Sequence, residues 1–218
     1  MGNGSEPPSK PGHSDHRQFA FSSNDAFRTA FHDLSELVPA QLSSVPKLKI
    51  DWVDTPLGPM ICAADDAHLF LLEFLERTAL PRQMKRLHLH AKGTLGFGRT
   101  RITDATQLAL SYYFNGVDMG PDVPLAPVGT AFERAAWANL RRIPFGVTRS
   151  YSQQATSMGC PGATRAVARA NGANPIAIII PCHRLVGTDG HLTGYGGGLW
   201  RKERLIKMER KYLHTGDQ

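Results

Sequence analysis

The chain has 218 residues, 41% hydrophobic and 20% charged, with three cysteines and a net charge of +6. That is enough apolar material for one large or two small packed domains. No apolar run nears the roughly 20 residues that cross a bilayer, and no signal-peptide core is visible, so neither a membrane anchor nor export is expected. Cys62, Cys160 and Cys182 are odd in number and lack CxxC spacing. That argues against a disulfide framework or a cysteine zinc site and for a reducing cytosol. The charge is unevenly placed: residues 1–126 carry 12 Lys+Arg against 14 Asp+Glu, and residues 127–218 carry 13 against 5. An excess confined to the C-terminal part suits a polyanionic partner.

Residues 1–16 (MGNGSEPPSKPGHSDH) are rich in Gly, Pro and Ser and are expected to be a disordered tail. His13 and His16 lie there and read as solvent-exposed. Residues 17–46 form a short helical segment, with Phe27, Ala30, Phe31 and Leu34 at helical spacing. From Leu48 the period changes to two: Leu48, Ile50 and Trp52 point inward, Lys49 and Asp51 outward. MICAA and LFLLEFL flank Asp65 and Asp66 as a meander. Pro81–His90 is helical in pattern, and a second helix places Ile102, Ala105, Leu108, Ala109 and Tyr112 on one face. Strands followed by helices make residues 47–118 a small α+β domain with an antiparallel sheet, in which nothing looks catalytic. His88 and His90 read as surface residues, and 119–129 is the linker.

Residues 130–213 are expected to be mainly helical, with 214–218 a tail. Thr130 and Glu133 make a capping box, and Phe132, Ala136, Trp137 and Leu140 follow as an apolar stripe. Ser150 and Gln153 make a second box, and a third helix runs from Ala163 to about Asn171 after a Gly-containing turn. This is helix-turn-helix spacing. On the third helix Ala163, Ala166, Val167 and Ala170 cover one side, with Arg165 and Arg169 on the other. Such a slim basic helix can enter a groove, or it can be an ordinary helix with a basic solvent face. The apolar run Ile176–Ile180 then reads as a buried strand that delivers Cys182, His183 and Arg184 at its mouth. Cys182 is either a small core residue or a reactive thiolate whose neighbours favour the charged form.

Three stretches carry a resemblance: GTAFERAAWANLRRIPFGVTRSYSQQA, RAVARANGANPIAIIIPCHRLV and GYGGGLWRKERLIKME. They resemble the O6-alkylguanine-DNA alkyltransferases, which move an alkyl group from guanine O6 irreversibly to their own cysteine. The similarity covers about residues 47–212 and is most like the C-terminal part of Ada-type adaptive-response proteins. Residues 17–46 separately resemble a remnant of an AraC-type helix-turn-helix. The resemblance implies a ribonuclease-H-like fold for the N-terminal α+β domain. The second domain would then be a helix-turn-helix domain with a short active-site strand.

The implied chemistry is single-turnover transfer to Cys182 from O6-methylguanine, either alone or together with O4-methylthymine. A free thiol with a pKa near 8.5 is only a few per cent ionised at neutral pH, so a proton acceptor is needed. By resemblance His183 is that acceptor, through a water, and Glu209, in the last turn of the final helix, orients it. Tyr151 would hydrogen-bond the base and donate to the leaving guanine, and Asn174 would tie the third helix to the active-site segment. Arg184 is implied to be scaffold. Backbone groups of Cys182, Leu185 and Gly196, with Tyr195 as a wall, would line the guanine slot, and Gly196 in place of serine would leave that wall roomier.

A base inside a duplex cannot reach a buried thiol, so it must be flipped out. Arg165 would fill the space it leaves, with Tyr151, Ala163, Ala166 and Arg169 also at the minor groove. No cofactor and no metal are expected. The implied partner is double-stranded DNA containing O6-alkylguanine, bound by a monomer in a bacterial-type cytoplasm, at the nucleoid, with no membrane. The alternative is a non-catalytic lesion-binding or regulatory fragment of an Ada-type transcription factor.

Overall fold

A computed structural model describes residues 47–92, 95–118 and 122–215. The segments 1–16 and 17–46 lie outside the described residues. Three antiparallel strands, β1 (Leu48–Val53), β2 (Met60–Ala64) and β3 (Leu69–Phe74), form the expected meander. The sheet is mixed, however, because β4 (Leu95–Phe97) joins β1 in parallel, giving the order β3-β2-β1-β4. A parallel neighbour needs a crossover, and α1 (Leu80–His90) supplies it.

The two faces of the sheet are covered differently. Ile50, Ile61, Ala63 and Leu71 pack with Leu80, Met84 and Leu87 of α1. The other face, with Met60, Cys62 and Leu72, joins α2 (Arg101–Phe114) and the C-terminal half in one continuous core. Two assignments of facing need correction. Asp51 is buried, because both faces of the sheet are covered and alternation no longer marks solvent. On α2 the buried set is Ile102, Thr103, Thr106, Ala109, Leu110 and Tyr113, while Leu108 and Tyr112 are exposed. Two adjacent apolar residues at each turn make the apolar arc ambiguous by one position.

The C-terminal half contains α3 (Ala131–Leu140), the two-residue strand β5 (Arg149–Ser150), α4 (Tyr151–Ser157) and α5 (Thr164–Gly172). Both expected capping boxes are present, at Thr130 with Glu133 and at Ser150 with Gln153. Polar side chains lock these helices together. Trp137 donates to Ala170 O (2.8 Å), Gln154 to Ala136 O (3.0 Å) and Asn171 to Gln154 (2.5 Å). The short strand β6 (Leu185–Val186) pairs in parallel with β5, and α6 (Leu199–Thr215) closes the chain.

The run Ile176–Ile180 is not a strand. It makes one parallel bridge, Ile176 to Leu72 on the outer edge of β3, through Leu72 N–H to Pro175 O (2.9 Å) and Ala177 N–H to Leu72 O (2.7 Å). It then coils, with Ile180 N–H donating to Ile176 O (3.1 Å) and Ile178 held at φ +68°. Positive φ at a β-branched residue stores strain on the order of 1–3 kcal/mol, tolerated where surrounding packing fixes it. Apolar continuity signalled burial correctly and extension incorrectly.

Candidate active site

Cys182 opens a 3₁₀ turn, Cys182–Arg184, immediately after this coil. Asn174, fully buried at the end of α5, organises the approach. Its Oδ1 accepts from Ile176 N–H (3.0 Å), and its Nδ2 donates to Ile180 O (2.9 Å) and Cys182 Sγ (3.2 Å). One amide therefore holds the coil and touches the sulfur.

Behind the cysteine, Glu209 collects donors from four residues: Tyr113 Oη (2.6 Å), His183 Nε2 (2.6 Å), Arg184 Nε (3.0 Å) and the Gly146 N–H (2.8 Å). Arg184 also donates to Ile143 O at 2.6 Å. Burial alone would raise Glu209, but the hydrogen bonds from His183 and Arg184 and the charge of the Arg184 guanidinium outweigh it and hold the carboxyl at about 2. Burial lowers His183 against the pull of Glu209, so the imidazole is neutral. With Nε2–H given to Glu209, Nδ1 carries the free lone pair, and it is buried with no hydrogen-bond partner among the described residues. Tyr113, raised well above its ordinary range by burial and then by Glu209, remains a donor.

In front of the cysteine lies a pocket of about 420 Å³, lined by Cys182, Tyr151, Arg165, Gly194, Tyr195 and Gly196 among others. Its outer loop is held by carbonyl contacts. Lys202 Nζ donates to Thr193 O (2.5 Å), Tyr151 Oη to Gly194 O (3.2 Å), and Arg201 Nη1 to Gly197 O (2.9 Å). Lys202 has no exposed surface, and burial lowers it to about 8, with Cys182 pulling the other way. The thiol itself is pushed up by burial, while the Asn174 hydrogen bond and the charges of Arg77 and Lys202 oppose that rise. The resting group is a thiol. The groups that favour the charged form are Asn174, Arg77 and Lys202 rather than the adjacent His183 and Arg184, and desolvation, with the charge of Glu73, outweighs them.

The chain matches the family profile described as "6-O-methylguanine DNA methyltransferase, DNA binding domain" over residues 131–211. A methylated-DNA–protein-cysteine methyltransferase of Methanosarcina barkeri is 41% identical over 163 residues, covering 75% of this chain and 98% of that one. The protein of that name from Mycobacterium tuberculosis is 42% identical over 158 residues, covering 72% and 90%. The chain belongs to the methylated-DNA–protein-cysteine methyltransferase family. The crystal structure of the M. tuberculosis O6-methylguanine methyltransferase superposes with a TM-score of 0.63 at 40% identity, covering 76% of this chain and 94% of that one. The M. tuberculosis protein in complex with DNA gives 0.64 at 39% identity, over 76% and 93%.

Within this methyltransferase fold, Cys182, Tyr151, Arg165, Tyr195 and Gly196 line the pocket, Asn174 meets it only through Cys182 Sγ, and His183 and Glu209 lie behind it. Glu209 is not in the last turn, since α6 continues to Thr215. Leu185 is fully buried in β6, outside the pocket lining. Ala166 and Arg169 line a different depression, with Arg82, Arg86 and Phe132, and Ala163 is partly buried in the turn before α5. Gly196 does not leave a roomier wall. A Cβ there would lie 2.5 Å from Cζ of Arg77, whose guanidinium already fills the space.

Three contributors escaped the sequence reading. Tyr113 and Arg77 come from the half in which nothing looked catalytic, and Lys202 was one cation in a basic helix. A buried-face reading of α2 shifted by one residue would have found Tyr113. No local signal marks the other two. Among the described residues no cluster of His, Cys, Asp or Glu could hold a metal ion, and no helix is long and apolar enough to cross a membrane.

Proposed function

We propose that this protein repairs DNA by direct reversal, accepting the alkyl group of O6-methylguanine on Cys182 in a single irreversible turnover. The observation that carries the reading is Cys182 facing the pocket with Asn174 on its sulfur and the neutral His183, braced by Glu209, behind it. The thiol proton passes to His183 Nδ1 through a bridging water, and the imidazolium is stabilised by Glu209. Sulfur then attacks the methyl carbon, the carbon–O6 bond breaks, and guanine leaves with the electron pair and takes a proton from Tyr151. The lesion enters by leaving the duplex, with Arg165 at the pocket mouth filling its place and α5 at the minor groove. Phosphate contacts from the basic C-terminal half make affinity fall with salt.

The finer assignments belong to the same proposal. Residues 17–46 are read as a remnant of an AraC-type module, as in Ada-type proteins. Residues 47–118 and 130–213 are read as the two parts of the transferase, joined by 119–129, working as a cytoplasmic monomer without cofactor.

The test is mass spectrometry after incubation with duplex DNA containing O6-methylguanine. One added methylene mass on the Cys182 peptide, at one equivalent per chain, is expected. Cys182→Ala should bind the DNA and take up nothing. Methyl uptake by that variant, or catalytic turnover, would overturn the assignment, and binding without uptake by the native chain would favour a lesion sensor.

A further inference from the structure

Arg77 follows β3 in the N-terminal half, yet its side chain is only 4% exposed and reaches the pocket region. Its Nη1 pairs with the carboxylate of Glu73, itself fully buried, and also donates to Asn174 O (3.0 Å). Its Nη2 donates to Gly172 O (2.6 Å). Those two carbonyls end α5 and begin the coil that carries Cys182. Gln83, from α1, adds a second donor to Asn174 O at 3.0 Å. The remaining guanidinium nitrogen, Nε, is buried without a partner and lies 2.5 Å from where a Cβ on Gly196 would be. At under 3.0 Å something must move, and the atoms met here belong to a clamped, ion-paired group rather than a free side-chain end.

We propose that Arg77 is a positioning and specificity-determining residue for alkyl transfer: it backs the Gly196 wall of the pocket and fixes the end of α5 against the cysteine coil. The inference deepens the proposed function and rests on that pocket being the base slot. The guanidinium substitutes for a side chain at position 196, so the pocket wall there is bare backbone braced by a cation. Any side chain at 196 displaces either the wall or the brace. Because the brace also holds Asn174, the displacement reaches Cys182 Sγ through the Asn174 amide. Misplacing reacting groups by about 1 Å can cost about a hundredfold in rate.

The experiment is a mutant cycle on the full chain. Gly196→Ser is combined with Glu73→Gln/Arg77→Ala, a pair of changes that leaves no lone buried carboxylate. Three quantities are measured: the single-turnover rate of methyl transfer from O6-methylguanine duplex DNA, the affinity for that duplex by anisotropy, and thermal unfolding. Gly196→Ser alone should slow transfer at least about tenfold, with a much smaller loss of duplex affinity. In the Glu73→Gln/Arg77→Ala background the same substitution should slow it less than about threefold further. If Gly196→Ser fails to fold, restoration of cooperative unfolding in that background supports the same coupling. Full-speed transfer by Gly196→Ser would overturn the proposal. So would equal slowing in both backgrounds, or parallel losses of affinity and rate. A native chain that takes up no methyl group fails the proposed function first and this inference with it.

Discussion

Replacing Glu209 by glutamine tests the buried hub directly. Oε1 meets Tyr113, His183 and Arg184, while Oε2 meets Gly146 N–H and Arg184 Nε. An amide keeps one acceptor and makes the other end a donor, so either orientation sets N–H against N–H and leaves Arg184 without its counter-charge. Removing one partner of a buried pair costs about 3–5 kcal/mol. A second route gives a similar figure. A carboxyl that falls from 4.5 unfolded to about 2 folded contributes about 3 kcal/mol to stability. Because the folded pKa is depressed, that contribution is complete above pH 4.5 and is lost as pH falls towards 2. Urea unfolding of the native chain and Glu209→Gln should therefore differ by about 3 kcal/mol at neutral pH, and by much less near about pH 3. A neutral-pH difference below about 1 kcal/mol, the range of exposed pairs, would refute the hub. An undiminished difference in acid would refute its titration.

Arg165→Ala should slow transfer from duplex DNA far more than transfer from free O6-benzylguanine, and equal losses would remove its role in base extrusion. Lys202→Met should loosen the Thr193–Gly194 carbonyls and slow transfer. The native lysine is depressed to about 8, so both states are charged below that and folding bears the full desolvation cost. Stability relative to Lys202→Met should rise between pH 8 and the ordinary 10.5 and be flat below, and a fall across that window would contradict the burial. A chain lacking residues 1–45 should transfer methyl at the native rate, and a large loss would make that segment part of the transferase.

What was legible in the sequence was local. The capping boxes at Thr130 and Ser150 and the helix-turn-helix spacing rest on contacts three or four residues apart, which letters display directly. Cys182, His183 and Glu209 came through resemblance, since nothing in KMERKY distinguishes a hub carboxylate from a surface one. The Ile176–Ile180 coil was misread because five apolar residues specify burial but not extension. Whether such a run extends depends on what it meets, and here only Leu72 on the edge of β3 offered a pairing. Arg77 and Tyr113 were invisible for the same reason at longer range, being about 100 positions from the carbonyls and carboxylate they serve.

The family profile stops short of those two residues. It begins at residue 131, so it contains Cys182, His183 and Glu209 but neither the phenol that donates to Glu209 nor the guanidinium behind Gly196. The recognisable module is therefore chemically incomplete on its own. Exchanging the N-terminal half between relatives, or splitting the chain at the linker for use as a two-part reporter, would have to carry Glu73, Arg77 and Tyr113 across as matched parts. The joint between the halves is itself part of the reaction vessel.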